Sequence, residues 1–533
     1  MANLSKQIKG FSEKLFLELD MPGEDSPLSD QQRIRQALQN LGFAPVIFPL
    51  HILRCLYPMC REQGFSITVT LVYRQSDWVV TAVEPGDRTH SHYGLAVDYG
   101  STTVVMQLVD MRSGAVIDQV KTVNAQAEFG SDILTRITYS MEAPSHTDDL
   151  QLATVHSFET LLQQLSERNG IDAARCGVMI VSGNTTMIHF LLKLNGWTVF
   201  AAPFAPVTMD PGWLWGTELG MDFQGLVYII PAASNYVGGD IISGLLQVDI
   251  HKKDDICLFF DIGTNGELVI GNREWMIAGA GAAGPALEGY ISRYGMRAAP
   301  GAIDRVRIEG DTLRYTTIEN QKPVGICGSG IIDLIAQMFL AGWIDMAGNF
   351  NVRSSPRIRY LPGEQQYAAV YATEEESATG EPLFFTQTDI HQYLDTKAAA
   401  YTMVDCLLDS AGCSISDISH CYLSGAFSAH SDLESAITIG IFPDLDREKY
   451  TAFANTSLEG ARILLLDRAR LEEVQSLSES VYCIQFASIP DFLIRMQAAK
   501  FIPHTDINRY PSIKKRIEQA GDTQQNIIGG QEK

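Results

Sequence analysis

Two stretches of the sequence share an arrangement of residues that could bind phosphate groups. Each has an apolar strand that ends in an aspartate, then one residue, a glycine and a hydroxyl residue, and then a second apolar strand. A glycine lets the backbone of such a turn approach a phosphate closely, and the exposed N–H groups of the turn form a nest for an anion. The pattern predicts two phosphate-binding hairpins, LAVDYGSTTVVMQLVD at 95–110 and LFFDIGTNGELVIG at 258–271.

The chemistry of these hairpins would depend on carboxylates beside each turn. Asp98 and Asp261 end the two first strands, where a carboxylate can hold Mg²⁺ through water or orient an attacking water. Glu267, on the returning strand of the second hairpin, is a further candidate for positioning that water. We predict all three as catalytic residues and the two aspartates also as metal ligands. The predicted phosphate ligands are Gly100, Ser101, Thr102, Thr103, Gly263, Thr264, Asn265 and Gly266.

The repetition of the pattern matters more than either copy. A single Asp-x-Gly turn is common in surface hairpins and would indicate little. Two copies in one chain indicate an internal duplication. We therefore expect two similar half-domains that face each other across a cleft.

Two further glycine turns fit the other end of a nucleotide. A strand at 418–424 leads into a Ser-Gly-Ala-Phe turn, and a Gly-Ser-Gly turn at 328–330 precedes a predicted helix. A helix N-terminus offers free N–H groups and the positive end of a dipole. Either turn alone is equally well explained by packing, whereas with the hairpins they suggest a phosphate clamp and an adenosine pocket. The predicted ligands are Gly328, Ser329, Gly330, Gly425, Ala426 and Phe427, with core packing an equal alternative for Phe427.

Four other residues have both a functional and a structural interpretation. Asp240, in YVGGD, is a candidate for the nucleotide cleft or for the N-cap of the following helix. Glu288, in AGPALEG, is interpreted as a buried structural carboxylate. Cys327 could be a ligand or a reactive thiol and is interpreted as a small core residue, and His189 is interpreted as a core histidine with satisfied nitrogens.

The remaining sequence predicts the elements that position these turns. A chain of 533 residues is too long for one compact core. Alternating apolar patterns predict a strand pair near the N-terminus, and strands alternate with long helices further on. The predicted segments are an N-terminal helix and linker at 1–27, a small α/β module at 28–90, half-domains at 91–245 and 246–507, a surface insertion near 362–382 and a polar tail at 508–533.

Charge and hydropathy exclude two classes of partner. The formal net charge is −23, and such a field repels nucleic acid phosphates and anionic lipid. No apolar run reaches the roughly 20 residues that span a bilayer, and the N-terminus lacks the apolar core of a secretory signal. We therefore expect neither nucleic acid nor membrane binding.

The cysteines indicate a reducing compartment and no metal cluster. Nine cysteines are scattered through apolar stretches without a CxxC motif, which is typical of buried thiols in a cytoplasmic protein. An iron–sulfur cluster needs about four thiolates, whereas the closest pair, Cys55 and Cys60, offers two. We expect no iron–sulfur cluster in this chain.

These motifs together resemble those of a known superfamily. The two hairpins and the Leu423–Phe427 turn resemble the phosphate and adenosine motifs of the actin, hexokinase and chaperone ATPases. Within that superfamily the chain resembles the reductive activators of corrinoid proteins, ATPases that return inactive Co(II) to Co(I). The sequence motifs that carry this resemblance are spread over nearly all of 93–505. They include FGSDILTRI, VSGNTTMIHFLL, DIGTNGE, AGPALEG, CGSGIID and YLSGAFS.

The resemblance implies a fold. We expect an α/β, actin-like ATPase fold of two duplicated ribonuclease-H-like half-domains around a nucleotide cleft, preceded by a small α/β module. That module, which ends in VEPGD, resembles the family's middle domain.

The resemblance also implies ligands and partners. It predicts ATP and Mg²⁺ as ligands, and a corrinoid protein or corrinoid-dependent methyltransferase as partner. Family members usually carry a [2Fe–2S] domain or ferredoxin repeats, and we expect this member to lack both. Either a separate ferredoxin then supplies electrons, or the chain retains only ATP-driven remodelling. A homodimer, a non-redox reactivase that ejects a damaged cofactor, and a small-molecule kinase are the other possibilities considered.

Overall fold

Two units, each with its own six-stranded sheet, make up the described chain. The computed structural model describes residues 9–263, 265–281, 289, 291–310, 312–425 and 430–519. The first unit extends to Asp249 and includes Thr456–Val481, whereas the second comprises Ile250–Asn455 and the chain from Tyr482 onward. Within the described residues no helix is long and apolar enough to cross a membrane.

The first unit begins with a small module built on a four-stranded sheet. Its strands lie in the order β1-β3-β4-β2. The module consists of Ser12–Glu18 (β1), Asp30–Asn40 (α1), Val46–Ile47 (β2), Leu50–Glu62 (α2), Ser66–Arg74 (β3) and Asp77–Pro85 (β4).

The predicted N-terminal helix is wrong. Residues Ser12–Glu18 form a strand that pairs antiparallel with β3 along its whole length. A segment this short is marginal as an isolated helix, and the edge of β3 offers it a full set of backbone hydrogen bonds. The module therefore includes β1 and does not begin at residue 28.

The rest of the first unit surrounds the first predicted hairpin. Its sheet has the order β7-β6-β5-β8-β10-β9. The elements are Tyr93–Tyr99 (β5), Thr103–Asp110 (β6), Val116–Val123 (β7), Ile133–Glu142 (α3), His146–Asn169 (α4), Val178–Gly183 (β8), Thr185–Leu191 (α5), Trp197–Phe200 (α6), Gly212–Trp215 (β9), Leu226–Ile229 (β10) and Gly239–Val248 (α7).

The second unit surrounds the second hairpin. Its main sheet has the order β21-β20-β11-β12-β13-β22, and two three-stranded sheets, β15-β14-β16 and β17-β18-β19, accompany it. From residue 250 the elements are Cys257–Ile262 (β11), Gly266–Gly271 (β12), Met276–Gly281 (β13), Ala302–Glu309 (β14), Thr312–Thr317 (β15), Gly325–Ile326 (β16), Gly328–Leu340 (α8), Ile358–Leu361 (β17), Gln366–Ala372 (β18), Leu383–Thr386 (β19), Gln387–Ala411 (α9), His420–Ser424 (β20), Leu433–Ile439 (α10), Tyr450–Ala452 (β21), Thr456–Leu466 (α11), Leu471–Ser480 (α12), Val481–Ile484 (β22) and Phe492–Ala498 (α13).

The two main sheets repeat one topology. In each sheet three consecutive strands run antiparallel, β5-β6-β7 in one and β11-β12-β13 in the other. The first of the three pairs in parallel with a later strand, β8 or β20, which pairs in parallel with another, β10 or β21. This shared order confirms the predicted duplication; the nucleotide cleft stays a prediction.

The strands that carry the two aspartates are buried on both faces. Leu95–Val97 in β5 and Leu258–Phe260 in β11 are fully buried. A continuous apolar run of this kind is typical of a strand covered on both sides by other layers. Each aspartate therefore sits at the end of a rigid central strand.

The predicted boundaries of the second half-domain need one correction. Helices α11 and α12 lie within the predicted range 246–507, yet they belong to the first unit. Helix α11 crosses α7 so closely that a side chain at Gly460 would overlap the backbone of Ser243. Such long-range packing leaves no local pattern in the sequence.

The predicted surface insertion is also wrong in part. Strand β18 lies inside it and buries Ala368–Ala372 between β17 and β19. The acidic run that dominates the composition follows the strand, and Glu376 there pairs with Arg357. The segment as a whole has a polar and acidic composition, and this composition does not reveal the short buried strand within it.

The predicted polar tail begins later than residue 508. Tyr510 and Ile513 are fully buried, and residues 511–519 are helical. The two apolar residues join the core of the second unit, whereas the residues after 519 lie outside the described part of the chain.

A buried lysine holds the C-terminal segment of the second unit to α9. The Lys397 side chain is fully buried. Its ammonium donates hydrogen bonds to the carbonyl oxygens of Ala499 (2.7 Å), Phe501 (2.8 Å) and Pro503. Three carbonyl groups thus depend on one buried donor.

Replacing this lysine is expected to destabilise the second unit. Lys397→Met leaves three carbonyl groups without their donor, so the free energy of unfolding should fall by about 3 kcal/mol or more. Urea denaturation measures the change. Lys500→Met is the control, because Lys500 is on the same segment but forms a partly exposed ion pair with Asp395, worth roughly 0–1 kcal/mol. Equal losses in both variants would contradict the assignment.

Candidate functional site

The first predicted phosphate turn joins β5 to β6. Strand β5 ends at Tyr99 and β6 begins at Thr103, so residues 100–102 form the turn. A Cβ atom on Gly100 would lie 2.6 Å from the carbonyl oxygen of Thr103. Only glycine fits there without displacement of the turn.

Asp98 lies beside the end of β8, next to a residue that the sequence analysis missed. The register places Asp98 beside Ser182 of the parallel strand. The hydroxyl of Ser457, at the start of α11, donates a hydrogen bond to Asp98 Oδ1 at 2.8 Å. Ser182 Oγ lies 2.9 Å from Ser457 Oγ and 3.1 Å from the carbonyl oxygen of Gly239. These contacts fix the carboxylate against buried hydroxyl groups.

The sequence around Ser457 carries a weaker signal. Thr456 and Glu459 have the spacing of a capping box before an apolar run. That pattern predicts a helix start and says nothing about Asp98, which is 359 positions away along the chain. Only folding brings the two residues together.

Asp240 lies in the first turn of α7 and does not cap it. The N-cap residue is Gly238, and Asp240 Oδ1 accepts a hydrogen bond from the backbone N–H of Ile241 at 2.9 Å. The predicted N-cap role is therefore wrong, although a carboxylate in the first turn still favours the helix dipole. A Cβ atom on Gly238 would lie 2.9 Å from the carbonyl oxygen of Gly183. The start of α7 therefore packs against the end of β8, the same end at which Asp98 lies.

The second hairpin places two predicted catalytic carboxylates opposite each other. Asp261 in β11 pairs with Glu267 in β12, and side chains of directly opposed residues share one face with Cβ atoms about 5 Å apart. Like charges in this position repel. A bound divalent cation would remove the repulsion, and carboxylate oxygens suit Mg²⁺. The donor set therefore fits the predicted metal.

The turn of this hairpin is open above its first glycine. The backbone N–H of Gly263 donates to the carbonyl oxygen of Asn265 at 2.9 Å. Among the described residues, a Cβ atom on Gly263 would meet nothing nearer than that oxygen, at 3.9 Å. Gly266 begins β12 and is buried, whereas Thr264 lies outside the described residues.

A Ser-Gly turn accompanies each aspartate. Asp98 has Ser182 beside it, and Asp261 has Ser424 beside it, both on the parallel neighbouring strand. Only the second of these turns, Ser424–Gly425, was predicted from the sequence as a ligand-binding turn. The duplication therefore assigns Ser182–Gly183 as the first-unit counterpart of the predicted adenosine turn.

The two glycines of these turns make the same close approach. A Cβ atom on Gly183 would lie 2.9 Å from the carbonyl oxygen of Tyr99, the residue after Asp98. A Cβ atom on Gly425, whose φ is +97°, would overlap the carbonyl oxygen of Ile262, the residue after Asp261. Glycine is required at both positions. Ala426 and Phe427 lie outside the described residues.

The Gly-Ser-Gly turn begins α8 at Gly328. Ser329 Oγ donates to the carbonyl oxygen of Asp304 at 3.1 Å, and a Cβ atom on Gly330 would overlap the carbonyl oxygen of Ile303. Ser329 and Gly330 therefore hold the start of α8 close to β14. This contact favours the packing alternative for both residues. Their nucleotide contacts and those of Gly328 stay predictions.

The structural interpretations of two residues are confirmed. Cys327 is buried, and its thiol donates to the carbonyl oxygen of Ile303 at 3.3 Å. His189 is fully buried, and burial lowers the pKa of its imidazole. Its Nδ1 contacts the Thr185 carbonyl oxygen at 2.7 Å and its Nε2 accepts from Val207 N–H at 3.1 Å. Glu288 lies outside the described residues.

Three family models match consecutive segments of the chain. The description "C-terminal domain of RACo the ASKHA domain" matches residues 255–514, "RACo middle region" matches 93–253 and "RACo linker region" matches 6–90. The small module therefore corresponds to the linker region, and its predicted resemblance to the middle domain is wrong. The middle region is the first half-domain.

Individual proteins similar to this chain are described as enzymes that activate or reduce corrinoid proteins. A "Corrinoid activation enzyme RamQ" of Eubacterium limosum is 31% identical over 424 residues, which span 78% of this chain and 71% of that protein. A "[Co(II) methylated amine-specific corrinoid protein] reductase" of Methanosarcina barkeri is 24% identical over 73% of each chain. A solved structure of a "Reductive activator for corrinoid, iron-sulfur protein" is 35% identical, with a TM-score of 0.87 over 95% of this chain and 81% of that one.

Proposed function

This chain belongs to the RACo family of reductive activators of corrinoid proteins, and from that membership we propose that it uses ATP to return a corrinoid protein from Co(II) to Co(I). The partner is a corrinoid protein or a corrinoid-dependent methyltransferase. Each turnover adds one electron to cobalt, so an electron donor is required. We propose a separate ferredoxin as that donor.

One observation supports the use of ATP most directly. Each unit has an Asp-x-Gly hairpin at the end of a buried central strand, with a Ser-Gly turn on the neighbouring parallel strand. Two anion-binding turns suit a ligand with several phosphates. We propose that residues 100–103 and 263–266 contact the phosphates and that Gly425 lies near the adenosine.

The carboxylates have distinct proposed roles. Mg²⁺, when bound, would neutralise part of the phosphate charge. Asp98, fixed by Ser457, and Asp261 would hold the ion through water or directly. Glu267, opposite Asp261, would orient the attacking water.

ATP would act on the partner through a conformational equilibrium. Reduction of Co(II) to Co(I) is uphill for ordinary cellular donors, so the activator must favour a partner state that is easier to reduce. A ligand can do this only by binding one conformation more tightly than the other. ATP binding would select the activating conformation, and hydrolysis would release it.

A reconstitution with purified components tests this function. The protein is mixed anaerobically with candidate corrinoid proteins, a ferredoxin, a reductant and MgATP, and the Co(I) absorbance band is followed. We expect Co(I) only when both the protein and MgATP are present, and none when ADP replaces ATP. A complete set of corrinoid proteins from the source organism that yields no Co(I) would overturn the proposal. Release of a cofactor, or a phosphorylated small molecule, would identify the ejecting reactivase or the kinase instead.

A further inference from the structure

The carbonyl groups of the first phosphate turn all accept hydrogen bonds from the interior of the first unit. Asn124 Nδ2 donates a hydrogen bond to the carbonyl oxygen of Gly100 at 2.9 Å. The backbone N–H of Asn124 donates to the carbonyl oxygen of Thr102, also at 2.9 Å. Arg136 Nη1 donates to the carbonyl oxygen of Ser101 at 2.6 Å. Three consecutive carbonyl groups are thus held by two side chains and one backbone amide.

This arrangement determines where the N–H groups of the turn point. In a planar trans peptide the C=O and the following N–H lie on opposite sides. Because Asn124 and Arg136 hold the carbonyls of Gly100 and Ser101 toward the interior, the N–H groups of the next residues point away from it. The turn therefore presents donors, and no carbonyl dipoles, to an approaching anion.

Arg136 is an unusual residue to find beneath such a turn. It is only 1% exposed, and none of the ion pairs between described residues includes it. Its Nε donates to the carbonyl oxygen of Gly130 at 2.9 Å, and its Nη1 lies 3.5 Å from Gln126 Oε1. Asp132 is the acidic residue that acts on Arg136 electrostatically. Its carboxylate accepts a hydrogen bond from the backbone N–H of Thr135 at the start of α3. Asp132 thus acts on the guanidinium only through space, and the oxygen atoms that accept its hydrogen bonds are all neutral.

A buried cation without an anionic partner is costly. A polyphosphate on the turn would supply the missing negative charge at short range, and the low local dielectric would strengthen the attraction. The guanidinium fork also bridges two backbone carbonyls, which a lysine ammonium cannot reproduce with the same geometry.

We propose that Asn124 and Arg136 are positioning residues for the polyphosphate of the nucleotide, acting through the backbone of residues 100–102 and through the buried positive charge. This gives a role to the asparagine and the FGSDILTRI motif, for which the proposed function has no other use. The inference rests on the proposed function, since it assumes that the turn binds ATP.

The test compares two nearly isosteric changes with a matched control. Arg136→Lys keeps the charge but loses the fork, and Asn124→Leu removes the amide donor at nearly the same side-chain size without adding a charge. Arg33→Lys is the control, because Arg33 is also buried and also donates to backbone carbonyls, those of Asp20 and Ser26, in the small N-terminal module. Binding of MgATP and of adenosine is measured by calorimetry, and folding is checked by thermal melting.

Each outcome has a defined meaning. We expect Arg136→Lys and Asn124→Leu to weaken MgATP binding by about 10-fold or more, with adenosine affinity within about twofold of the parent and Arg33→Lys without effect on either ligand. A purely structural role would lower the affinities for MgATP and adenosine by the same factor, and that result, or unchanged MgATP binding in both variants, would overturn the inference. If Arg136→Lys does not fold, Asn124→Leu decides alone. Failure of the parent protein to bind MgATP would instead refute the proposed function.

Discussion

Asp261→Ala is expected to lower the rate of Mg²⁺-dependent ATP hydrolysis by about 100-fold or more, the scale for loss of one preorganised catalytic group. Asp261 ends the buried strand β11, faces Glu267 across the hairpin and lies beside Ser424. Its loss removes one of the two aspartates, Asp98 and Asp261, that are proposed to hold Mg²⁺. A phosphate release assay over a range of Mg²⁺ concentrations measures the effect.

The same substitution should not unfold the protein. In the absence of nucleotide, removing Asp261 relieves repulsion from Glu267, so the variant should still unfold in one cooperative thermal transition. Asp254→Ala is the control in the same unit, because its side chain is 75% exposed and pairs with Arg273 on the surface. Hydrolysis that is unchanged in Asp261→Ala would remove this residue from the catalytic assignment.

Gly263→Val is expected to abolish the effect of ATP on affinity for the corrinoid protein. Among the described residues, the nearest atom to a Cβ atom there is Asn265 O at 3.9 Å, so that part of the fold can accept the larger side chain. The branched side chain would instead occupy the space in which a phosphate approaches the turn. Gly100 would be a poorer choice, because a Cβ atom at that position clashes with Thr103.

Thermodynamic linkage gives this prediction two independent measurements. If ATP changes the affinity for the partner, the partner must change the affinity for ATP by the same factor, typically about 5- to 150-fold. Both titrations should show that factor in the parent protein and neither should show it in Gly263→Val. Gly363→Val is the matched control, because Gly363 also lies in a turn of the second unit with open space around its Cβ position. Coupling that persists in Gly263→Val would show that this turn is not the phosphate site.

The duplicated hairpins could be predicted from the sequence because their signal is local. Asp98 and Asp261 lie within a few residues of the glycines that identify each turn, and the buried strands before them are continuous apolar runs. Strand, turn and strand in one short segment produce a pattern that can be recognised without knowledge of the rest of the fold. The same locality explains why the family resemblance was visible.

Segments whose structure depends on distant partners were predicted less well. Residues 12–18 form a strand because β3 offers an unpaired edge, and β18 is buried because β17 and β19 lie on either side of it. In both cases the local composition pointed elsewhere. Tertiary pairing can override such weak local preferences.

By itself, the sequence determined the two Asp-x-Gly hairpins, the carboxylates beside them and the duplicated fold, since all of these follow from short-range patterns. The tertiary structure alone decided what supports the turns: Ser457, which holds Asp98, and Asn124 and Arg136, which orient the carbonyls of residues 100–102. Ser457 reaches Asp98 across 359 positions of the chain. A hydrogen bond between distant residues requires only that donor and acceptor meet at the right distance and angle, and that condition leaves no periodic trace in the sequence.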